Sequence, residues 1–112
     1  MATITEDDTF TQIVRFDIDP AHQDALIAAI VAEVERWVRR RPGFVSSTLH
    51  ASHDGCHVIN YAQWESETAF RGFTQDPEGE ALKAAIQAVD ESLKPHAIHC
   101  RAVRSIDPSR AA

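Results

Sequence analysis

Two side chains with N–H donors stand out in an otherwise apolar stretch of the chain. Asn60 and Trp64 are four residues apart in a run that alternates as a β-strand does, so both side chains lie on the face that carries Val58 and Ala62. An amide N–H and an indole N–H at the wall of a dry apolar cavity would stabilise negative charge developing on a substrate oxygen. The same pattern also suits a core amide bonded to a neighbouring backbone group beside a tryptophan that fills volume. The spacing alone leaves both interpretations open.

Histidine and cysteine residues form two groups that suggest metal binding. Cys56 and His57 lie on one predicted strand, and His96, His99 and Cys100 lie on another. Adjacent residues of a strand face opposite sides of the sheet, so neither Cys56 with His57 nor His99 with Cys100 can bind one ion together. His57 and His99 would meet only across neighbouring strands, and two ligands without a third make a poor site. We therefore predict no metal site.

Sequence motifs that bind cofactors or carry a nucleophile are missing. The chain has four glycines in all, and neither G-x-G-x-x-G nor G-x-x-x-x-G-K-[ST] is present to hold nucleotide phosphates. It also lacks the G-x-S-x-G turn and the local signatures of catalytic Cys–His pairs. Any redox chemistry would therefore need a source other than a nucleotide cofactor.

The elements that must position these residues follow the order β-α-β-β-α-β. Asp19-Pro20 is typical of a helix start, and Arg41-Pro42-Gly43 ends that helix. Asp54-Gly55 between two β-rich runs indicates a hairpin. Asp76-Pro77 breaks the second helical segment, which ends at Pro95. We predict strands over residues 10–18, 44–52, 56–64 and 96–105, a helix over 19–40, a broken helical segment over 66–95, and loose ends at 1–8 and 107–112.

This order predicts one α+β domain with a ferredoxin-like fold, in which helices cover one face of an antiparallel four-stranded sheet. The third strand carries apolar groups on both of its faces, because Val58, Ala62 and Trp64 point one way while Ile59 and Tyr61 point the other. The helices can cover only one of these faces, and an apolar sheet face left open marks an interface. We therefore predict a homodimer that packs sheet against sheet.

The amino-acid composition argues against nucleic-acid binding and against a membrane-spanning segment. The chain has 112 residues with 11 basic and 17 acidic side chains, a net charge of −6, which is the wrong sign for binding nucleic acid. A hydrophobic content of 44% supports one folded core, and no apolar run approaches the ~20 residues that span a bilayer. The acidic first residues do not resemble a secretory leader, so we expect a cytoplasmic protein with thiols at Cys56 and Cys100.

One stretch resembles a known family. The run Asn60-Tyr61-Ala62-Gln63-Trp64-Glu65-Ser66-Glu67, preceded by His50-Ala51-Ser52 and by Asp54-Gly55, is similar to the antibiotic biosynthesis monooxygenase family, in particular to its anthrone monooxygenases. Pro42-Gly43-Phe44 after the first helix matches as well, and the likeness covers about residues 10–104. The resemblance implies a dimeric α+β barrel with one pocket per subunit.

The resemblance also implies an activity. Such enzymes oxidise an anthrone-like aromatic polyketide to a quinone with molecular oxygen in antibiotic or other secondary-metabolite biosynthesis, without flavin, haem or metal. The chemistry is plausible because an anthrone that loses a proton gives an electron-rich enolate, which itself reduces oxygen. The protein need only bind the substrate, assist deprotonation and exclude water.

The resemblance assigns candidate site residues. Asn60 and Trp64 match polar pocket residues that hold the substrate carbonyl and its enolate oxygen. His50, within the matching His-Ala-Ser, is the candidate base. Phe70 stands where an anthrone monooxygenase has a tyrosine, so a hydroxyl proposed for proton transfer is missing. Lys83 roughly aligns with an arginine of that enzyme, although its position also suits a lysine that is simply solvated. The candidate substrate-binding residues are Leu49, Phe70, Phe73, Lys83 and Ile86, with Phe44 as a further lining or core residue.

Three alternatives remain beside this interpretation. The first is a non-catalytic dimeric barrel that binds a small hydrophobic aromatic molecule, and the second is a quinol monooxygenase of general metabolism. The third is haem degradation, in which related proteins hold the iron with a histidine of the later helical region. Residues 65–95 contain no histidine, which argues against haem.

Overall fold

The computed structural model describes residues 9–109. The predicted loose ends at 1–8 and 110–112 lie outside this range, while residues 107–109 have no regular structure. The strands are β1 (Phe10–Asp17), β2 (Phe44–Ala51), β3 (His57–Trp64) and β4 (His96–Cys100); the helices are α1 (Gln23–Arg36), α2 (Glu67–Thr74) and α3 (Gly79–Val89), and short 3₁₀ turns cover Pro20–His22 and Val38–Arg40.

The four strands form one antiparallel sheet in the order β2-β3-β1-β4. On one face, which we call the helix face, Val14 and Phe16 of β1 and Val58 of β3 pack with Leu26 and Ile30 of α1 to form the main core. The other face carries no helix of the described chain and is called the open face. This arrangement confirms the predicted ferredoxin-like fold.

The first helix ends earlier than predicted. Asp19 caps the preceding turn as expected, since its side chain accepts a hydrogen bond from the backbone N–H of Ala21 at 2.9 Å. The α-helical backbone stops at Arg36, and Trp37 (φ −145°, ψ −36°) leads into the 3₁₀ turn. Trp37 and Val38 are both buried in an aromatic cluster around Trp64. The predicted helix to Arg40 is therefore an α-helix with a tightened last turn.

The second helical segment and the last strand are also shorter than predicted. The helix does not reach Pro95, because the Asp90 side chain accepts hydrogen bonds from the backbone and hydroxyl of Ser92 and turns the chain after Val89. The predicted strand to residue 105 was wrong, since β4 ends at Cys100 opposite Thr11. Beyond this pair β1 has only Phe10 left, and residues 101–109 have no regular structure.

No helix among residues 9–109 has the length and apolar character that crossing a membrane requires.

Gly43 joins the first helical layer to β2 and provides a test of the fold. Its φ is +81°, its carbonyl accepts the Glu65 N–H at 2.8 Å, and a Cβ here would collide with the Cβ of Ala69. We expect Gly43→Ala to lower the free energy of unfolding by about 2–3 kcal/mol. Gly79→Ala is the matched control, because a Cβ there meets nothing within 4 Å. Urea denaturation of both variants measures the difference, and equal midpoints would contradict the assigned strain.

Candidate active site

A cavity of about 350 Å³ lies between the helix face of the sheet and α3. Gln12, Val14 and Asn60 line it from the sheet, and Lys83 and Ile86 line it from α3. A smaller pocket of about 40 Å³ shares Gln12, Asn60 and three apolar residues with the cavity and extends inward to Trp64 and Ser47. We call this smaller pocket the inner pocket. The main volume lies near the lower end of the range that encloses a small organic ligand.

Asn60 is one of two polar residues, with Gln12, that line both pockets. It sits opposite Val14 of β1 and Leu49 of β2, and it lines both pockets. Its Oδ1 accepts a hydrogen bond from the Ser47 hydroxyl at 2.6 Å. An amide whose oxygen is held in this way turns its NH₂ group elsewhere, and none of the hydrogen bonds found among residues 9–109 uses that group. The Asn60 NH₂ group is therefore free to donate to a ligand.

Trp64 forms the end wall of the inner pocket. The side chain is only 1% exposed, stacks on Phe73 at 5.0 Å between ring centroids, and makes T-shaped contacts with Phe44 at 5.4 Å and Phe70 at 6.3 Å. None of the hydrogen bonds found among residues 9–109 involves its indole N–H, and this nitrogen is not among the fully buried, unpartnered polar atoms of that range, so it retains some accessible surface. Buried tryptophan usually satisfies this group, so an unused N–H beside a pocket is a donor available to a bound molecule.

The predicted aromatic lining divides into two layers. Phe73 lines both pockets, and Ile86 lines the main cavity. Phe70 instead lies behind Trp64, where its ring contacts Phe10 at 4.8 Å and His99 at 4.9 Å. Leu49, like Phe70, is absent from the walls of both pockets and packs against the main core. Phe70 and Leu49 therefore support the cavity wall from outside.

The structure does not bring His50 together with Asn60 and Trp64. Leu49 pairs with Asn60 and His50 pairs with Ile59, so alternation along the strand places His50 on the open face, where it is exposed. Within one subunit, the sheet itself separates this imidazole from the cavity. The His-Ala-Ser motif around His50 is similar to the family, but the alternation of side chains along β2 places the imidazole on the face opposite Asn60.

Lys83 lies at the cavity wall on α3, one turn before Gln87. Its side chain is exposed, and it takes part in none of the ion pairs found in the described chain. No other residue that lines the main cavity is ionisable among those the structure describes. The cavity therefore combines apolar walls and amide donors with a single cationic group.

The histidine and cysteine groups do not assemble into a metal site. Strand β1 lies between β3 and β4, with His57 opposite Asp17 and His99 opposite Gln12, so the two histidines do not meet. His57 Nδ1 instead lies 2.8 Å from the Asp17 carboxylate, and this hydrogen bond lowers the pKa of the Asp17 carboxyl below its usual value. In residues 9–109, no three His, Cys, Asp or Glu side chains are grouped closely enough to hold an ion.

Three polar lining residues were not predicted as site residues: Gln12, Ser47 and Gln87. The sequence does indicate the position of Gln12, because this residue lies on the same alternating face as the apolar Val14 and Phe16. The sequence does not indicate which face Ser47 occupies, since that depends on an irregularity in the pairing of β2 with β3.

Comparisons with known proteins agree with this arrangement. The family model described as antibiotic biosynthesis monooxygenase matches residues 9–88, which contain most of the cavity wall. The chain is 39% identical over 109 residues to tetracenomycin-F1 monooxygenase of Streptomyces glaucescens, which covers 96% of this chain and 85% of that protein.

Two solved structures are similar over nearly the whole chain. The monooxygenase from the gene ActVA-Orf6 of Streptomyces coelicolor, in complex with nanaomycin D, matches with a TM-score of 0.81 and 41% identity over 89% of this chain and 92% of that one. SnoaB, a cofactor-independent oxygenase from Streptomyces nogalater, matches with a TM-score of 0.70 and 26% identity over 92% of this chain and 100% of that one.

Proposed function

The chain belongs to the antibiotic biosynthesis monooxygenase family, and we propose that it is a cofactor-independent monooxygenase that oxidises an anthrone-like aromatic polyketide to a quinone. The observation that carries this proposal is the pair of unused N–H donors, on Asn60 and Trp64, at the inner end of an apolar cavity. A relative named for tetracenomycin F1 and another crystallised with nanaomycin D support a small aromatic substrate in antibiotic biosynthesis.

The substrate supplies the electrons in this reaction. Removal of a proton from the central ring of an anthrone gives an enolate, which reduces molecular oxygen and forms a carbon–oxygen bond. The resulting hydroperoxide loses water to give the quinone. The ring carbon loses two hydrogens and gains one oxygen atom, while the second oxygen atom leaves as water, so no other reductant is consumed.

The protein acts on the enolate. The carbonyl oxygen of the bound anthrone lies at the inner pocket, where Asn60 and Trp64 donate hydrogen bonds that strengthen as negative charge develops. The surrounding apolar side chains exclude water, which makes these fixed donors more effective than solvent. Stabilising the enolate in this way makes the carbon acid easier to ionise.

At the cavity mouth the proton leaves the substrate and the outer end of the substrate is bound. Water there accepts the proton, because the described lining offers no carboxylate or imidazole and His50 faces the opposite side of the sheet. Lys83 binds a phenolate or carboxylate substituent, and Gln87 lies one turn further along the same helix.

Oxygen uptake tests the proposal. Chelator-treated, colourless protein is mixed with unsubstituted anthrone, and oxygen consumption and quinone absorbance are followed against an autoxidation control without protein. We expect quinone formation well above the control, with one atom of ¹⁸O₂ retained in the quinone. Rates equal to autoxidation on several anthrones, together with tight binding of the same compounds, would instead favour a non-catalytic binding barrel. Faster turnover of simple quinols than of any anthrone would favour a quinol monooxygenase of general metabolism.

We also propose that two copies of the chain pack through their open faces. Ile98, Ile13 and Tyr61 form a row across β4, β1 and β3 on this face, with Ile59 in the next row, and Ile98 is 64% exposed. An apolar row across a sheet without covering helices supports burial against a second sheet. The helix-side cavity stays separate from this interface in each subunit.

A charged substitution on the open face tests this homodimer. We expect light scattering after gel filtration to give twice the 12.4 kDa chain mass for the natural protein and one chain mass for Ile98→Arg, because a guanidinium cannot be buried without a partner. Ala28→Arg, on an exposed position of α1, is the matched control and should stay dimeric. A dimeric Ile98→Arg protein would contradict the assigned face.

A cytoplasmic location is part of the same proposal. Cys56 and Cys100 are free, and they lie beside Ile18 and Thr11 at opposite ends of the β1 region. Seven residues of extended chain separate these ends by roughly 20 Å, far beyond disulfide reach. Two free thiols suit a reducing compartment.

A further inference from the structure

We propose that Ser47 is a positioning residue for the reaction, which holds the Asn60 amide so that its NH₂ group faces the cavity. This inference rests on the proposed function and deepens it, because Ser47 acts through Asn60 and needs no contact with the substrate. The bond that carries it joins the Ser47 hydroxyl to Asn60 Oδ1 at 2.6 Å.

The orientation of an asparagine amide must be fixed by a partner. Rotation about the last side-chain bond is broad and roughly two-fold, so NH₂ and C=O can exchange places at little cost when nothing holds them. With the oxygen held by Ser47, the cavity meets a donor. With the amide turned over, the cavity would meet a carbonyl oxygen that repels the enolate. Ser47 thus determines whether Asn60 stabilises or destabilises the enolate.

A β-bulge places Ser47 on the cavity side. Phe44 pairs with Trp64, but the next pairs are Ser46 with Gln63 and Ser47 with Ala62, so β2 contains one extra residue at this point. Without it, Ser46 rather than Ser47 would oppose Ala62 and lie on the helix face. Bulges of this kind occur beside functional sites because they redirect a side chain.

The bulge also creates an internal control. On the open face, the Ser46 hydroxyl donates to Gln63 Oε1 at 2.9 Å, which repeats the serine-to-amide bond between the same two strands. The Ser46 pair lies on the opposite side of the sheet from both pockets. Loss of either hydroxyl removes one cross-strand hydrogen bond, but only loss of the Ser47 hydroxyl releases Asn60.

Steady-state kinetics test the positioning role. We expect Ser47→Ala to lower kcat for anthrone oxidation by about tenfold with less than a twofold change in KM, because the substrate still fits but its enolate is poorly stabilised. Ser47→Thr retains the hydroxyl and should recover most of the rate. Ser46→Ala should stay within about twofold of the natural protein. An unchanged kcat in Ser47→Ala, or an equal fall in Ser46→Ala, would overturn the assignment.

A second measurement does not depend on catalysis. In ¹⁵N-labelled protein, the side-chain NH₂ signals of Asn60 are identified by their loss in Asn60→Ala. Ser47→Ala should shift these signals and speed their hydrogen exchange, whereas Ser46→Ala should leave them in place. If the signals respond as expected but the natural protein oxidises no anthrone, then the proposed function fails while the geometry holds. If anthrone is oxidised but the Asn60 signals ignore Ser47, the positioning role is wrong and the proposed function stands.

Discussion

Replacement of Asn60 by alanine is expected to lower kcat for anthrone oxidation by about 10²–10³-fold, the range found when one donor to a developing oxyanion is removed. Asn60 lines both the main cavity and the inner pocket, and its NH₂ group is unused among the described residues while Ser47 holds its oxygen. The lost interaction belongs mainly to the enolate-like transition state, so kcat should fall far more than KM rises. Stopped-flow measurement of quinone formation, corrected for autoxidation, gives both constants.

The matched control for this variant is Gln63→Ala. Gln63 carries the same functional group on the same strand, is buried, and bonds a serine of β2, but it faces away from both pockets. Gln63→Ala should lower the free energy of unfolding but keep kcat within about twofold of the natural protein. If Asn60→Ala retains kcat within twofold, the amide is a structural core group and the donor role is wrong. Circular dichroism of each variant separates loss of fold from loss of chemistry.

Sequence patterns correctly predicted those features of the structure that are set by residues close together in the chain. The family resemblance around residues 60–67 was confirmed, as was the order of the elements. The period of two along β3 correctly placed Asn60 and Trp64 on one face, because alternation within a strand is fixed by backbone geometry. The hairpin at Asp54-Gly55 was confirmed too, with Gly55 at a positive φ of 80°.

What the sequence did not predict depends on pairing between distant segments. The order β2-β3-β1-β4 separates His57 from His99, and no local signal reports which strand lies between them. The bulge that brings Ser47 to Asn60 is a property of two paired strands and is invisible in either one alone. Likewise, Phe70 and Phe73 are both aromatic residues of α2, and only the packing of that helix decides that Phe73 lines the cavity while Phe70 supports it.

Replacement of Trp64 by phenylalanine should lower kcat by about 10²-fold, because it removes the indole N–H but keeps an aromatic ring in the cluster. A phenyl ring can retain the stacking on Phe73 and the T-shaped contact with Phe44, so the variant should lose less stability than one that removes the whole aromatic group. Trp64→Ala would add a cavity in a site that is 1% exposed and should cost about 3–5 kcal/mol. The informative variant is therefore the phenylalanine.

Trp37→Phe separates the chemical role of an indole from its packing role. Trp37 is buried in the same cluster and stacks on the same Phe73, at 5.6 Å, but its N–H bonds the Glu33 carboxylate at 3.2 Å and faces neither pocket. If packing alone set the rate, both variants would lose activity in proportion to their lost stability. If the enolate needs the Trp64 N–H, kcat should fall in Trp64→Phe and stay within about twofold in Trp37→Phe, even where the urea midpoints of the two are equal. Comparison of the kcat values of the two variants, at equal free energy of unfolding, therefore distinguishes a tryptophan that donates to the enolate from one that only fills the core.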